Sequence, residues 1–177
     1  MVFVIFTIPA MSYEACDFGV SCRTTIPDGR PILTGGRILT VPSLQISVAI
    51  TTFPLASPTW EISPWEREVG HFQYTAWIDN PGNVVIGGHS EYPSGDPGIF
   101  YDLGKLRIGD LIYISDADLL RRYVVSEIKI VNYRDLTVLY PTSDSRLTLI
   151  TCSIPSYVAA QNSYYERVVV IAVEVPG

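Results

Sequence analysis

Lysine is nearly missing from this sequence: two lysines and ten arginines face 18 acidic residues in 177, a formal net charge of −6. Binding to nucleic acid draws on clustered cations that displace counterions from phosphates, so this balance argues against nucleic-acid partners. Histidine is confined to His71 and His89, and cysteine to Cys16, Cys22 and Cys152. No second Cys or His pair lies at ligand spacing, so neither a metal nor any other cofactor is expected. No apolar run reaches the roughly 18 residues that suggest a membrane-crossing helix. Charged residues are also sparse, at 17% against 47% apolar, which excludes wholesale disorder. The length suits one domain with a sizeable core.

The start of the chain reads differently from the rest. Met1 to Met11, MVFVIFTIPAM, is nearly all apolar, but no Lys or Arg precedes it and Pro9 disturbs a helix. It is either a buried strand or unstructured start, or the remainder of a membrane anchor or signal whose upstream part is missing. Residues 12–36 carry Gly19, Pro27, Gly29, Pro31, Gly35 and Gly36 with little periodicity, as a linker does. Cys16 and Cys22 lie inside it. They would form a small disulfide loop in an exported protein, or two thiols in a tail in a reducing compartment. Residues 1–36 are thus expected to be an apolar segment and linker, and residues 37–177 the folded domain.

From Arg37 onward the pattern is β. Leu39 to Val41 and Leu44 to Ile50 alternate apolar and polar at period two. Asn83 to Gly87, Asp110 to Ser115, Arg122 to Val131, Arg146 to Cys152 and Arg167 to Val175 add further strands. Turn residues punctuate them at short intervals, which favours an all-β barrel or sandwich over parallel α/β units. Helical signals are weak. Ser63 to Gly70 has a Ser cap, Pro in the first turn and early acids, and predicts one or two helical turns. Gly98 to Leu106 predicts another turn.

The chemistry is narrowed by scarcity. His89 ends a strand in Asn83-Val-Val-Ile-Gly-Gly-His89, where two glycines permit a tight turn and the close approach of another chain. Cys152 ends a different strand in Leu147-Thr-Leu-Ile-Thr-Cys152, and Arg167 opens the last. A thiol, an imidazole and a guanidinium at strand ends can converge on one rim of a barrel. They would supply a nucleophile, a proton carrier and a fixed cation for a developing oxyanion. Each also has an ordinary reading: a small buried apolar residue, a hydrogen-bonded structural histidine, and a solvated surface charge.

The words around these residues favour the first reading, because the chain resembles the sortases, the cysteine transpeptidases of bacterial cell surfaces. Thr148-Leu-Ile-Thr-Cys152 is similar to the family's Thr-Leu-x-Thr-Cys nucleophile motif. Gly82-Asn83 through Gly88-His89 is similar to its Gly-Asn-x-x-x-x-Gly-His strand, and Arg167-Val-Val-Val to the start of its arginine strand. Arg37-Ile-Leu-Thr-Val-Pro-Ser-Leu resembles the first-strand word, and Phe100 through Asp110 the segment Phe-x-x-Leu-x-x-Leu-x-x-Gly-Asp. The words span about Arg37 to Val173 in family order. Trp65 to Phe72 with Pro81-Gly82 looks most like the branches grouped as classes D to F. His71 stands where the family often has a second, noncatalytic histidine, structural or part of the site wall. The chain departs from the pattern in a longer Ser90 to Gly98 loop, in Ser153-Ile-Pro155 after the Cys, and in an aromatic Ser153 to Glu166 loop.

The resemblance implies a closed eight-stranded β-barrel with one or two short helices. It implies Cys152 as nucleophile, His89 as general acid and base, and Arg167 as substrate or oxyanion stabiliser. Thr151 would lend its backbone N–H or hydroxyl. The substrates would be surface proteins bearing an LPxTG-like sorting signal. The acceptor would be an amine, such as a cell-wall precursor or a pilin Lys. The place of action would be the extracytoplasmic face of a bacterial membrane, and the segment Asn132 to Ser145 would wall the peptide groove. Three other classes stay open: a cysteine peptidase that releases the acyl group to water, a noncatalytic peptide-binding surface barrel, and the peptidoglycan cross-linking cysteine transpeptidases. The last lack support here, since their Ser-x-Gly-Cys word is absent around Cys152.

Overall fold

Period-two alternation along the chain becomes the two faces of a closed barrel. The computed structural model describes residues 36–56, 59–63 and 67–175. In chain order the strands are β1 (Ile38–Val41), β2 (Ile46–Phe53), β3 (Leu55–Ala56), β4 (Thr59–Trp60), β5 (Val69–Phe72) and β6 (Asn83–Gly88). They continue with β7 (Leu111–Asp116), β8 (Leu119–Asn132), β9 (Arg146–Cys152), β10 (Tyr157–Val158), β11 (Ser163–Tyr164) and β12 (Glu166–Val175). Eight of them close in the order β1-β2-β5-β6-β9-β12-β8-β7. The short pairs β3–β4 and β10–β11 form separate two-stranded ribbons. Closure removes the unpaired edges that an open sheet would expose.

The inner face is set by every second residue. Val84 and Ile86 of β6, Leu147 and Leu149 of β9, and Val170 and Ala172 of β12 all belong to one buried core. Each Val, Ile or Leu side chain so buried contributes roughly 1.5–3 kcal/mol. The intervening residues face outward. Val85 packs outside with Phe53 and Phe72, and Val169 and Ile171 pack with Val138. The segment after β8 therefore runs over the outer face of β9 and β12. The buried Asn83 amide fastens it by donating to the carbonyls of Val138 (2.9 Å) and Tyr140 (3.1 Å). The Asn83 side-chain oxygen accepts from the Thr148 hydroxyl at 2.7 Å, so a side chain on β6 also grips β9.

The expected strands are all present, and each is close to its sequence boundaries. One expectation is corrected. The helix expected over Ser63 to Gly70 is not found among its described residues: Ser63, Arg67 and Glu68 are irregular, and Val69 and Gly70 open β5. Residues 64–66 lie outside the described residues. The physical reason is pairing. Val69 is fully buried in the core, and β5 is hydrogen-bonded to β2 on one side and β6 on the other. That outweighs a cap and a proline at a site with no second helical turn to follow. The turn expected in Gly98 to Leu106 is the 3-10 helix Leu103–Lys105. Four further 3-10 turns occur, and no α-helix, among the described residues. Nor is any described helix long and apolar enough to cross a membrane. The expectations for Met1 to Met11 and for Cys16 and Cys22 lie outside the described residues.

Candidate active site

Two glycines bring β6 to the rim that carries His89, though not by turning it. Neither Gly87 nor Gly88 has a positive φ; both are needed for packing. A Cβ on Gly87 would lie 2.5 Å from a Phe72 ring carbon outside the barrel, and one on Gly88 would lie 2.8 Å from Phe100 inside. Gly87 pairs with Gly70, over which the Phe53 ring lies in the same way. The close-approach reading of this glycine pair therefore applies, and the tight-turn reading does not.

Strand register gathers the three candidate residues. β6 and β9 run parallel, with Val85 beside Thr148 and Gly87 beside Ile150. The Thr151 hydroxyl donates to the Gly88 carbonyl at 2.8 Å and carries the tie one residue further. The next residues on the two strands are His89 and Cys152. On the other side of β9, Arg167 is the cross-strand partner of Cys152 itself. Directly paired residues share a face, and alternation from the inward Leu147 and Leu149 puts Cys152 outward. The same count from Val170 and Ala172 puts Arg167 outward, and that from Val84 and Ile86 does the same for the position of His89. The rim thus presents all three on the outside of the barrel. The buried Thr151 hydroxyl holds the β6 and β9 ends together.

His89 is fixed from two directions. Its Nε2 lies 2.9 Å from the Ser63 carbonyl oxygen. A carbonyl can only accept, so the neutral ring carries its proton on Nε2 and leaves Nδ1 to exchange a proton. Behind it, the following loop folds back on the His89 backbone. Phe100 N–H donates to the His89 carbonyl at 3.0 Å, and Gly98 N–H to the Ser90 carbonyl at 2.8 Å. A side chain at Gly98 would run into the His89 carbonyl. The longer Ser90 to Gly98 loop is thus a clamp, and Arg67 secures its outer end by pairing with Asp96 at 3.2 Å and lying 5.0 Å from the Tyr92 ring centre.

Cys152 is half-buried and borders a recess of about 140 Å³, lined also by Tyr101, Thr151, Ile154, Pro155 and Val168. Burial pushes its thiol above the ordinary value, the Arg167 guanidinium pulls it down, and the Glu91 carboxylate pushes it up, with a net rise. The resting side chain is therefore a thiol, with thiolate a minority form at neutral pH. Arg167 spends one nitrogen on structure: Nη1 donates to the carbonyls of Tyr164 (2.9 Å) and Glu166 (3.0 Å). Its Nε and Nη2 groups have no protein acceptor among the described residues. That leaves part of a rigid donor fork beside the thiol.

His71 is not part of this rim. It is buried on β5, its Nε2 donating to the Ala76 carbonyl at 2.8 Å with the Thr75 hydroxyl at 2.9 Å. Its ring tilts against Trp77, and burial lowers its pKa, so it is a neutral structural histidine. Sequence reasoning missed the Ser63 carbonyl, the clamp at Gly98 and a Glu91–Tyr164 hydrogen bond above the site. Only the loop glycine left a trace in the sequence.

The sortase domain model matches residues 39–175, nearly the whole barrel. The chain belongs to the sortase family. This family comprises cysteine transpeptidases that act on sorting signals at the Gram-positive cell surface. Sortase A of Listeria monocytogenes is 35% identical over 75 residues, which is 42% of this sortase and 33% of that relative. The match thus spans about a third of the relative's length. Among solved structures, a Clostridium perfringens sortase D5 transpeptidase aligns with a TM-score of 0.61 at 24% identity, over 80% of this chain and 79% of that one. Streptococcus agalactiae sortase C1 aligns at 0.62 and 22% identity, over 80% and 67%. A lid mutant of Corynebacterium diphtheriae sortase A aligns at 0.60 and 24% identity, over 84% and 72%. These likenesses concern the fold of this sortase, and they extend across classes A, C and D.

Proposed function

We propose that this sortase uses Cys152, His89 and Arg167 to cleave an LPxTG-like sorting signal and transfer its acyl part to an amine. The observation that carries the reading is the register: Arg167 pairs with Cys152, and the Thr151–Gly88 tie continues β6 and β9 up to His89 and Cys152.

The chain of events follows from the groups present. The Cys152 sulfur attacks the carbonyl carbon of the Thr–Gly bond, and its S–H proton passes to the departing amine as the C–N bond breaks. The free N–H groups of Arg167 receive the charge that develops on the carbonyl oxygen. His89, in its protonated form, gives a proton from Nδ1 to the departing amine while Nε2 stays on the Ser63 carbonyl. The product of this half is a thioester on Cys152, which is reactive toward amines. In the second half His89 takes a proton from the incoming amine, the C–N bond forms and the C–S bond breaks. The second proton of the amine goes to the departing sulfur, which leaves as a thiol, the form that burial favours. The part-exposed end of β9 around Ile150 and Cys152 would receive the reacting end of the extended peptide, with the segment Asn132 to Ser145 as its wall. The donors would be surface proteins and the acceptor a cell-wall precursor or a pilin Lys, at the extracytoplasmic face of the membrane.

The test is a quenched-fluorophore library of LPxTG-like peptides, read with the wild-type enzyme and with Cys152→Ala. Cleavage of a subset by the wild type, lost in the variant with an unchanged circular dichroism spectrum, is expected. Equal cleavage by both would remove Cys152 as nucleophile.

A further inference from the structure

A transamidating site meets a cation twice. The amine that leaves and the amine that arrives are bonded in turn to one acyl carbon, so both occupy one place beside Cys152 and His89. An alkylamine of ordinary basicity is an ammonium at neutral pH, with a pKa of about 10. The Arg167 guanidinium, already beside the thiol, repels such a group. A matching anion is present on the opposite side. Glu91 lies two residues after His89, and its backbone is pinned by a bridge to Pro97 inside the loop that clamps His89. The Tyr164 phenol donates to Glu91 Oε1. Tyr164 in turn accepts Arg167 Nη1 on its carbonyl. In the barrel β9 sits between β6 and β12, so this hydrogen bond crosses the end of β9, where Cys152 stands. Burial and the neighbouring carboxylate hold the phenol firmly protonated, so it stays a donor. A carboxylate has about four acceptor positions, and the phenol fills one.

For the attack on the sorting signal alone this carboxylate is unhelpful, since its charge opposes thiolate formation at Cys152. For an ammonium its effect is the reverse. We propose that Glu91, braced by Tyr164 across the end of β9, is the subsite that receives the cationic amine which resolves the thioester. The inference rests on the transpeptidase reading above and names where that reading's acceptor binds.

The step balances without any further reactant. The docked ammonium has three N–H bonds and the product amide has one. His89 takes one proton and becomes imidazolium. The second goes to the departing Cys152 sulfur, which leaves as thiol. Glu91 keeps its charge and takes no proton. The first half of the cycle is the mirror image: His89 and Cys152 return two protons to the leaving amine, which departs as an ammonium past the same carboxylate.

The experiment compares Glu91→Gln with the wild type. Glutamine keeps the volume and an acceptor for Tyr164 but removes the charge. Acylation is read first, by intact mass after mixing with peptides of the LPxTG-like library. It should persist in Glu91→Gln. Transfer is then read with two acceptors, glycinamide in its cationic form and hydroxylamine, which is neutral at pH 7. The KM for the cationic acceptor should rise about tenfold in Glu91→Gln, the size expected of one charge-assisted hydrogen bond at a partly solvated site. The KM for hydroxylamine should be unchanged. In the wild type the KM for the cationic acceptor should climb with salt, and in Glu91→Gln this dependence should vanish. Tyr164→Phe keeps the charge and should keep the discrimination between acceptors. An unchanged ratio of the two KM values in Glu91→Gln overturns the proposal, as does the loss of discrimination in Tyr164→Phe alone. Failure of the wild type to form any acyl-enzyme overturns the transpeptidase reading, and this subsite falls with it.

Discussion

Replacing Gly98 with alanine should disable this sortase without touching any group that reacts. The added Cβ would stand 2.6 Å from the carbonyl carbon of His89 and 3.0 Å from that of Ser90, and closer still to the His89 carbonyl oxygen. Nonbonded carbons sit at about 3.5–4.0 Å, so the two backbones must part by roughly 1 Å. Both partners are main chain, which leaves no flexible side-chain end to swing aside. The movement strains the hydrogen bonds from Gly98 N–H to Ser90 and from Phe100 N–H to His89. A shift of about 1 Å in a reacting group costs on the order of 100-fold in rate. Loss of the two bonds would lower stability by about 1–3 kcal/mol. The assay has two parts: turnover of a cleavable library peptide, and iodoacetamide alkylation of Cys152. Turnover should fall about 100-fold while alkylation stays near the wild-type rate, because Cys152 belongs to a different strand. Wild-type turnover in Gly98→Ala would refute the clamp. An equal loss of alkylation would show that the whole rim had been disturbed, not the histidine.

Three further outcomes are expected. Alkylation of Cys152 should accelerate with rising pH along a limb centred above the ordinary thiol value of about 8.5, since its net shift is upward. Arg167→Ala should move that limb higher and Glu91→Gln should move it lower; mass-spectrometric rate profiles check all three. His89→Ala should cost turnover about 10²–10⁴-fold and Arg167→Ala about 10²–10³-fold, measured as kcat/KM on one library peptide. A chain beginning at Gly36 should fold and react with thiol-directed reagents, because β1 starts at Ile38 and the barrel closes through it; a molten spectrum would place the lead inside the core.

The barrel was legible because its strands alternate. Leu147 and Leu149 alternate with Thr148, and β9 begins and ends where the sequence pattern does, at Arg146 and Cys152. The chemistry was legible because Cys, His and Arg stood at strand ends beside specific words. Other features depended on tertiary pairing. β5 reads as a short helix because Ser63 and Pro64 imitate a helix start, while its two neighbours in the sheet are far away in sequence. The thin ribbons β3–β4 and β10–β11 are two residues per strand, too short for any period to show. The Gly87-Gly88 pair suggested a turn as well as a close approach; only the second is found, and its partners, Phe72 and Phe100, lie 15 and 12 residues away. Glu91 carried no signal, because a carboxylate in a loop looks solvated until Tyr164 is seen on it.

Everything proposed for this sortase depends on Cys152 carrying an acyl group from a sorting signal to an amine. Intact-protein mass spectrometry tests it directly, with the wild-type enzyme, a cleavable LPxTG-like peptide and several chemically different amines at saturating concentration. An adduct of the peptide's acyl mass, mapped to Cys152, should form and then disappear on addition of amine as the matching amide appears. Absence of that adduct, or release mainly as the free acid with every amine, would contradict it.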